Sequence, residues 1–85
     1  MKYTVYILHS EARDKYYIGF TGEILSERIR KHNTNHKGFT GSTGDWKIVF
    51  SESYDEKEAA MKREKELKSW KSRIRIEKLI HSIPF

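Results

Sequence analysis

Two stretches, Tyr3-Thr4-Val5-Tyr6-Ile7-Leu8 and Tyr16-Tyr17-Ile18-Gly19-Phe20-Thr21, decide how this chain folds. Both are rich in β-branched and aromatic residues, which suit a pleated, half-buried surface. Period-two alternation sends Tyr3, Val5 and Ile7 to one face of the first strand and Thr4, Tyr6 and Leu8 to the other. The polar residues His9 to Lys15 join the two stretches, so an antiparallel hairpin is expected. Gly19 is notable, because glycine weakens a strand unless something must approach its backbone closely.

Beyond the hairpin, Thr21 is placed to cap a helix with Glu23 in its first turn. Ile24, Leu25 and Ile29 supply the apolar stripe, and the helix is expected to end near Asn33. Residues Asn33 to Gly44 are rich in Asn, Gly, Thr and Ser and read as a loop in which Thr40 is a polar candidate near the active face. Trp46 to Ser53 reads as a third strand. Asp55 and Glu58 suggest a variant capping box opening a helix from about Glu56 to about Trp70, with Ala60, Leu67 and Trp70 on its buried side. Lys71 to Ile80 reads as a shorter helix or a continuation, and the tail His81 to Phe85 as irregular because Pro84 lacks a backbone donor. The order ββαβα(α) predicts an α+β fold, a small three-stranded antiparallel sheet flanked by helices, in a single domain over residues 1–85.

Composition narrows the class. Hydrophobic residues make up 36% of the 85, and aromatics 13%, too many for a disordered chain. No apolar run reaches the length of a membrane span. The start, Met1-Lys2-Tyr3-Thr4, enters a strand pattern at once, so no secretory leader is expected. Cysteine is absent, which removes disulfides and thiolate metal sites and favours a cytoplasmic protein held by packing. The formal net charge of +5 favours a polyanion such as nucleic acid, although modest positive charge also serves solubility.

Some residues could carry chemistry. Tyr6 and Tyr17 on adjacent strands could bring two phenols to one spot, where a nearby cation would let one relay a proton; strand tyrosines are more often packing residues, as Tyr3 and Tyr16 are expected to be. Arg28 and His32 lie one helical turn apart, so they share a face. A guanidinium there could grip a phosphate oxygen, or simply be a solvated surface cation as Arg30 and Lys31 are expected to be. His9, His36 and His81 read as surface residues. Ala60, Glu64 and Leu67 follow i, i+4, i+7 spacing, so Glu64 falls on an inward face where its charge needs a partner. That partner could be an Arg or Lys, or a divalent metal completed by water. Asp and His ligands at metal spacing are missing, which argues against zinc. Arg63, Lys68 and Lys71 belong to a dispersed basic region with interleaved acids, where phosphate contact and plain solvation compete.

Thr4-Val5-Tyr6 and Tyr17-Ile18-Gly19, followed by Leu25-Ser26-Glu27-Arg28-Ile29-Arg30-Lys31-His32 and by the run Ala59 to Lys71, resemble the GIY-YIG nuclease family. The Tyr-Ile-Gly half is intact, whereas Thr4-Val5 stands where the other half has Gly-Ile. The resemblance covers roughly Tyr3 to Ile80 and is strongest to small stand-alone members related to the N-terminal nuclease domain of the ABC excinuclease. It implies a divalent-metal-dependent endonuclease hydrolysing DNA phosphodiesters in DNA repair or recombination. Tyr6 would activate the attacking water, Tyr17 would position water or phosphate, and Arg28 would stabilise phosphoryl charge. His32 would orient the tyrosine or transfer a proton, and Glu64 would anchor one Mg²⁺ or Mn²⁺ ion. All five would then line one accessible concave surface, with Arg28, Arg63, Lys68 and Lys71 contacting nucleic acid. So short a chain has no separate recognition domain, so a protein partner for targeting is expected. A non-catalytic nucleic-acid-binding module, or an interaction domain that keeps only the fold, are the alternatives.

Overall fold

A computed structural model describes residues 2–34 and 44–82, with the backbone alone at His32 and Thr34. Three strands and three helices follow in the expected order: β1 (Tyr3–Ser10), β2 (Lys15–Thr21), α1 (Leu25–Thr34), β3 (Lys47–Tyr54), α2 (Lys57–Ser69) and α3 (Arg73–His81). The sheet is antiparallel throughout, with β1 central in the order β2-β1-β3. Its α+β class and strand order are those the hydrophobic pattern predicts. Most of the expected loop, Thr40 included, and the end of the tail lie outside the described residues.

The alternation of β1 builds two cores. Val5 and Ile7 join Phe50, Ala60, Leu67 and Ile76 beneath α2 and α3. Tyr6 and Leu8 join Trp46 on the other face, where Leu25 and Ile29 of α1 cover them. The pairing register of β1 and β2 sets Tyr6 opposite Gly19 and Leu8 opposite Tyr17, so both motif tyrosines face α1. A register shift between Ile7 and Leu8 against β3 leaves Val49 as an extra residue, a β-bulge.

The helix ends depart from expectation in instructive ways. Thr21 does not cap α1; its hydroxyl accepts from the Glu23 N–H at 3.1 Å and closes a turn. Ile24 instead supplies the first helical carbonyl, accepting from Glu27 N at 3.1 Å and Arg28 N at 3.2 Å. Its side chain is 72% exposed, so it leaves the apolar stripe to Leu25 and Ile29. The capping box of α2 is not formed: Glu56 occupies the N-cap with no side-chain cap bond. Lys71, at φ +48°, breaks the chain between α2 and α3, and Ser72 starts the new helix by accepting from Arg75 N at 3.3 Å. The C-terminal pattern is therefore a second helix rather than a continuation.

α3 is tied to the hairpin by polar contacts that no local pattern signals. Arg73 bonds the Asp14 side chain at 2.5 Å and its carbonyl at 3.0 Å, reaches Glu77 at 3.3 Å, and lies over the Tyr16 ring. Tyr16 donates its hydroxyl to Glu77 at 3.0 Å. His9, expected at the surface, is half-buried; it stacks on Tyr16 at 4.8 Å and faces Asp14 at 3.4 Å.

Candidate active site

Tyr6, at the middle of the central strand, has its side chain directed to the α1 face and is only 1% exposed. The Gly19 backbone opposite makes room for the ring. A Cβ at that position would lie 2.7 Å from the Tyr6 hydroxyl, 2.9 Å from its Cζ and 3.1 Å from Cε1 of Tyr17. Close approach, the one condition under which a strand glycine makes sense, is therefore met here by the two motif tyrosines. The rings lie 6.5 Å apart at 29°. Trp46 sets its ring against Tyr17 at 6.4 Å and 69°, an edge-to-face contact.

α1 then presents Arg28. Its Nε donates to the Tyr6 hydroxyl at 3.4 Å, a long hydrogen bond between two partly buried groups. Hydrogen bonding and the nearby phenol raise the affinity of the guanidinium for its proton. Arg30 and Lys31 beside it are turned to acids, Arg30 to Glu27 at 3.1 Å and Lys31 to Glu23 at 3.1 Å. Burial pushes the Tyr6 phenol above the usual tyrosine range; Arg28 pulls it back in part, and Tyr17 and Glu64 push it up again.

Glu64 approaches from elsewhere. Its helix packs on the Val5–Ile7 face, opposite to α1, yet its charge acts on the Tyr6 phenol. The carboxylate is 16% exposed and meets Lys68, one turn on, at 3.4 Å, while Lys68 stays half-exposed. So the charge expected to need a partner has found a loosely held lysine, and not Arg28. The structure thus brings Tyr6, Tyr17 and Arg28 into contact range and places Glu64 within electrostatic reach, but Tyr6 is enclosed rather than set on an open concave surface. The side chain of His32 lies outside the described residues, though its backbone continues α1 one turn after Arg28.

The donor set limits which metal could bind. Among the described residues no three His, Cys, Asp or Glu side chains cluster, so a zinc-type cage is not built there. One partly buried carboxylate with a solvent-reaching lysine as its partner does fit a hard divalent ion that takes most of its ligands from water.

The two remaining basic candidates differ in setting. Arg63 is not free to grip a phosphate: Nε and Nη2 reach Glu52 at 2.9 and 3.4 Å, Nη1 bonds Glu66, and the Trp70 ring lies alongside. Glu52 comes from β3, eleven residues upstream, which is why spacing within the helix did not reveal the partnership. Lys71 is exposed at the α2–α3 break.

One supporting residue escaped the sequence. The Asn33 side chain copies a strand partner for Trp46: its Oδ1 accepts from the Trp46 N–H at 2.8 Å and its Nδ2 donates to the Trp46 carbonyl at 3.2 Å. An asparagine closing a helix carries no signal that would single it out from other C-terminal asparagines.

A family model of the GIY-YIG catalytic domain matches residues 2–78. The chain belongs to the GIY-YIG family. GIY-YIG domains are typically endonucleases, and their general use of divalent ions and nucleic-acid substrates sets the class of chemistry to consider at Tyr6, Tyr17, Arg28 and Glu64. Among solved structures, the chain is similar to the solution NMR structure of the UPF0213 protein BH0048 from Bacillus halodurans. The two share 32% identity and a TM-score of 0.60, over 95% of this GIY-YIG chain and 84% of that one. No curated protein matches it.

Proposed function

We propose that this chain is, as one domain over residues 1–85, a divalent-metal-dependent endonuclease that hydrolyses DNA phosphodiesters in the cytoplasm during repair or recombination. The observation that carries the reading is the Arg28 guanidinium on the Tyr6 hydroxyl, beside Tyr17 and over a glycine that leaves room for both rings. Arg28 would exchange this weak bond for a phosphate oxygen and stabilise charge that develops on the phosphoryl group. Tyr6 would take the proton of the attacking water, with Tyr17 holding water or phosphate in line. His32 would orient the phenol. Burial keeps the Tyr6 proton in place at neutral pH, so the base needs more positive charge nearby than Arg28 gives. A Mg²⁺ or Mn²⁺ ion on Glu64 would supply Lewis acidity at the phosphate and leaving oxygens. Neutralising Glu64 also removes one of the charges that hold the phenol's proton on. Lys68 and Lys71 would contact neighbouring phosphates, and a protein partner would bring the small domain to its target.

Nicking of supercoiled plasmid with Mg²⁺ or Mn²⁺ tests this directly. Wild type should nick, and Glu64→Ala and Arg28→Ala should both abolish nicking while Lys71→Ala weakens binding and its salt dependence by about one phosphate contact. Salt-dependent DNA binding by wild type without nicking in either metal would refute the enzyme and leave the binding module, the reading that the enclosure of Tyr6 favours.

A further inference from the structure

Ile24 is the most exposed large apolar residue among the described residues, at 72%. Single exposed apolar side chains are ordinary on protein surfaces, so exposure by itself says nothing. Its placement does. The turn that carries it is fixed on both sides: the Thr21 hydroxyl holds the Glu23 N–H, and the Ile24 carbonyl holds the N–H groups of Glu27 and Arg28. The bond from Arg28 N to Ile24 O sets the two residues one helical turn apart on one flank, with Cβ atoms about 5–6 Å apart in that relation. Leu25 and Ile29 already fill the contact with the sheet, so packing of the fold makes no use of Ile24. The charged neighbours answer one another, Lys31 with Glu23 and Arg30 with Glu27, which leaves the isoleucine as the apolar tip of that flank.

We infer that Ile24 is a wedge entering the base stack beside the phosphate that Arg28 holds, and that the substrate is DNA with a readily unstacked step at the cut. The inference rests on the nuclease reading of Arg28. A phosphate gripped by the guanidinium brings its own nucleotide within one side-chain length of Ile24, and isoleucine is among the side chains that proteins insert between base steps. Such a contact costs unstacking, which is least at a mismatch, branch or single-stranded junction. A continuous, well-stacked duplex is then the poorer substrate.

The test begins by mapping the wild-type nick in a short DNA duplex and placing 2-aminopurine next to it. Glu64→Gln protein, which holds DNA uncut, should raise the probe's fluorescence on binding. Adding Ile24→Ser should remove the rise and lower nicking by the otherwise wild-type chain about tenfold, equivalent to about 1.4 kcal/mol. Ile24→Leu should restore both, and Ile74→Ser, a substitution of another exposed isoleucine on α3, should change neither. Equal fluorescence with and without the Ile24→Ser substitution, or equal nicking of mismatched and continuous duplexes, overturns the wedge and leaves the nuclease intact. Absence of nicking and of DNA binding in the wild type overturns both.

Discussion

Substituting Gly19 by alanine puts the packing of the two phenols under a defined load. The new methyl would sit 2.7 Å from the Tyr6 hydroxyl and 2.9 Å from Cζ, well inside ordinary carbon contact. The flexible end of a surface side chain would move aside, but this ring is enclosed, backed by Tyr17 and held by Arg28. Overpacking of this kind costs about 1–3 kcal/mol. Removing the glycine's freedom from the unfolded chain returns about 0.4–1 kcal/mol. The net is a loss of about 1–2 kcal/mol, and each kcal/mol lowers Tm by about 4–8 °C in a domain of this size. Nicking should fall more steeply, since a displacement of about 1 Å at reacting groups can cost about 10²-fold. Urea unfolding and plasmid nicking read the two effects separately. Tyr6→Phe in the Gly19→Ala background should recover part of the stability, because it removes the oxygen at 2.7 Å but not the carbon at 2.9 Å. A Gly19→Ala protein as stable and as active as wild type would refute the close-approach argument.

Three further outcomes follow from the polar contacts. Tyr6 binds its proton more tightly in the folded chain, so the unfolded chain ionises first and stability falls as pH rises above about 10; Tyr6→Phe should flatten that alkaline limb in pH-dependent urea melts. Asp14 moves the other way: Arg73, and then His9, hold its carboxyl below its ordinary value of 3.8, so its contribution is present above that pH and is lost as pH falls further. Asp14→Asn should therefore remove part of the acid limb seen by circular dichroism. Asn33→Ala strands the Trp46 N–H and carbonyl and should cost about 1–3 kcal/mol in chemical unfolding, with Asn33→Asp failing to restore the donor half of the pair.

The strands were legible because Tyr3 to Leu8 and Tyr16 to Thr21 alternate strictly, and burial on both faces of β1 fixes that alternation. The glutamate helix was legible for a similar reason, as Ala60 and Leu67 bracket Glu64 at helical spacing. Helix starts were not. Thr21 has the chemistry of a cap, but a glycine follows and the chain turns before the helix begins, so its hydroxyl serves the turn. The pairings of Arg63 with Glu52 and Arg73 with Asp14 join residues 11 and 59 positions apart, beyond any local pattern. Within the candidate site, residue identities pointed to Tyr6, Tyr17, Arg28 and Glu64. That Glu64 would act on Tyr6 from a helix on the opposite face, and that Tyr6 would be enclosed, depended on packing that only three dimensions contain.

The amide of Asn33 has a meaning beyond holding Trp46. By binding a backbone 13 residues ahead, it stitches the end of α1 to the start of β3 and closes the intervening connection as a ring. Lengthening a closed ring is inexpensive, about 0.6 kcal/mol for each doubling. The connection could therefore be rewritten, or enlarged to take on a new partner, with little strain passed to the tyrosines behind the stitch. In this fold one side chain separates the part free to diverge from the part that must stay in register.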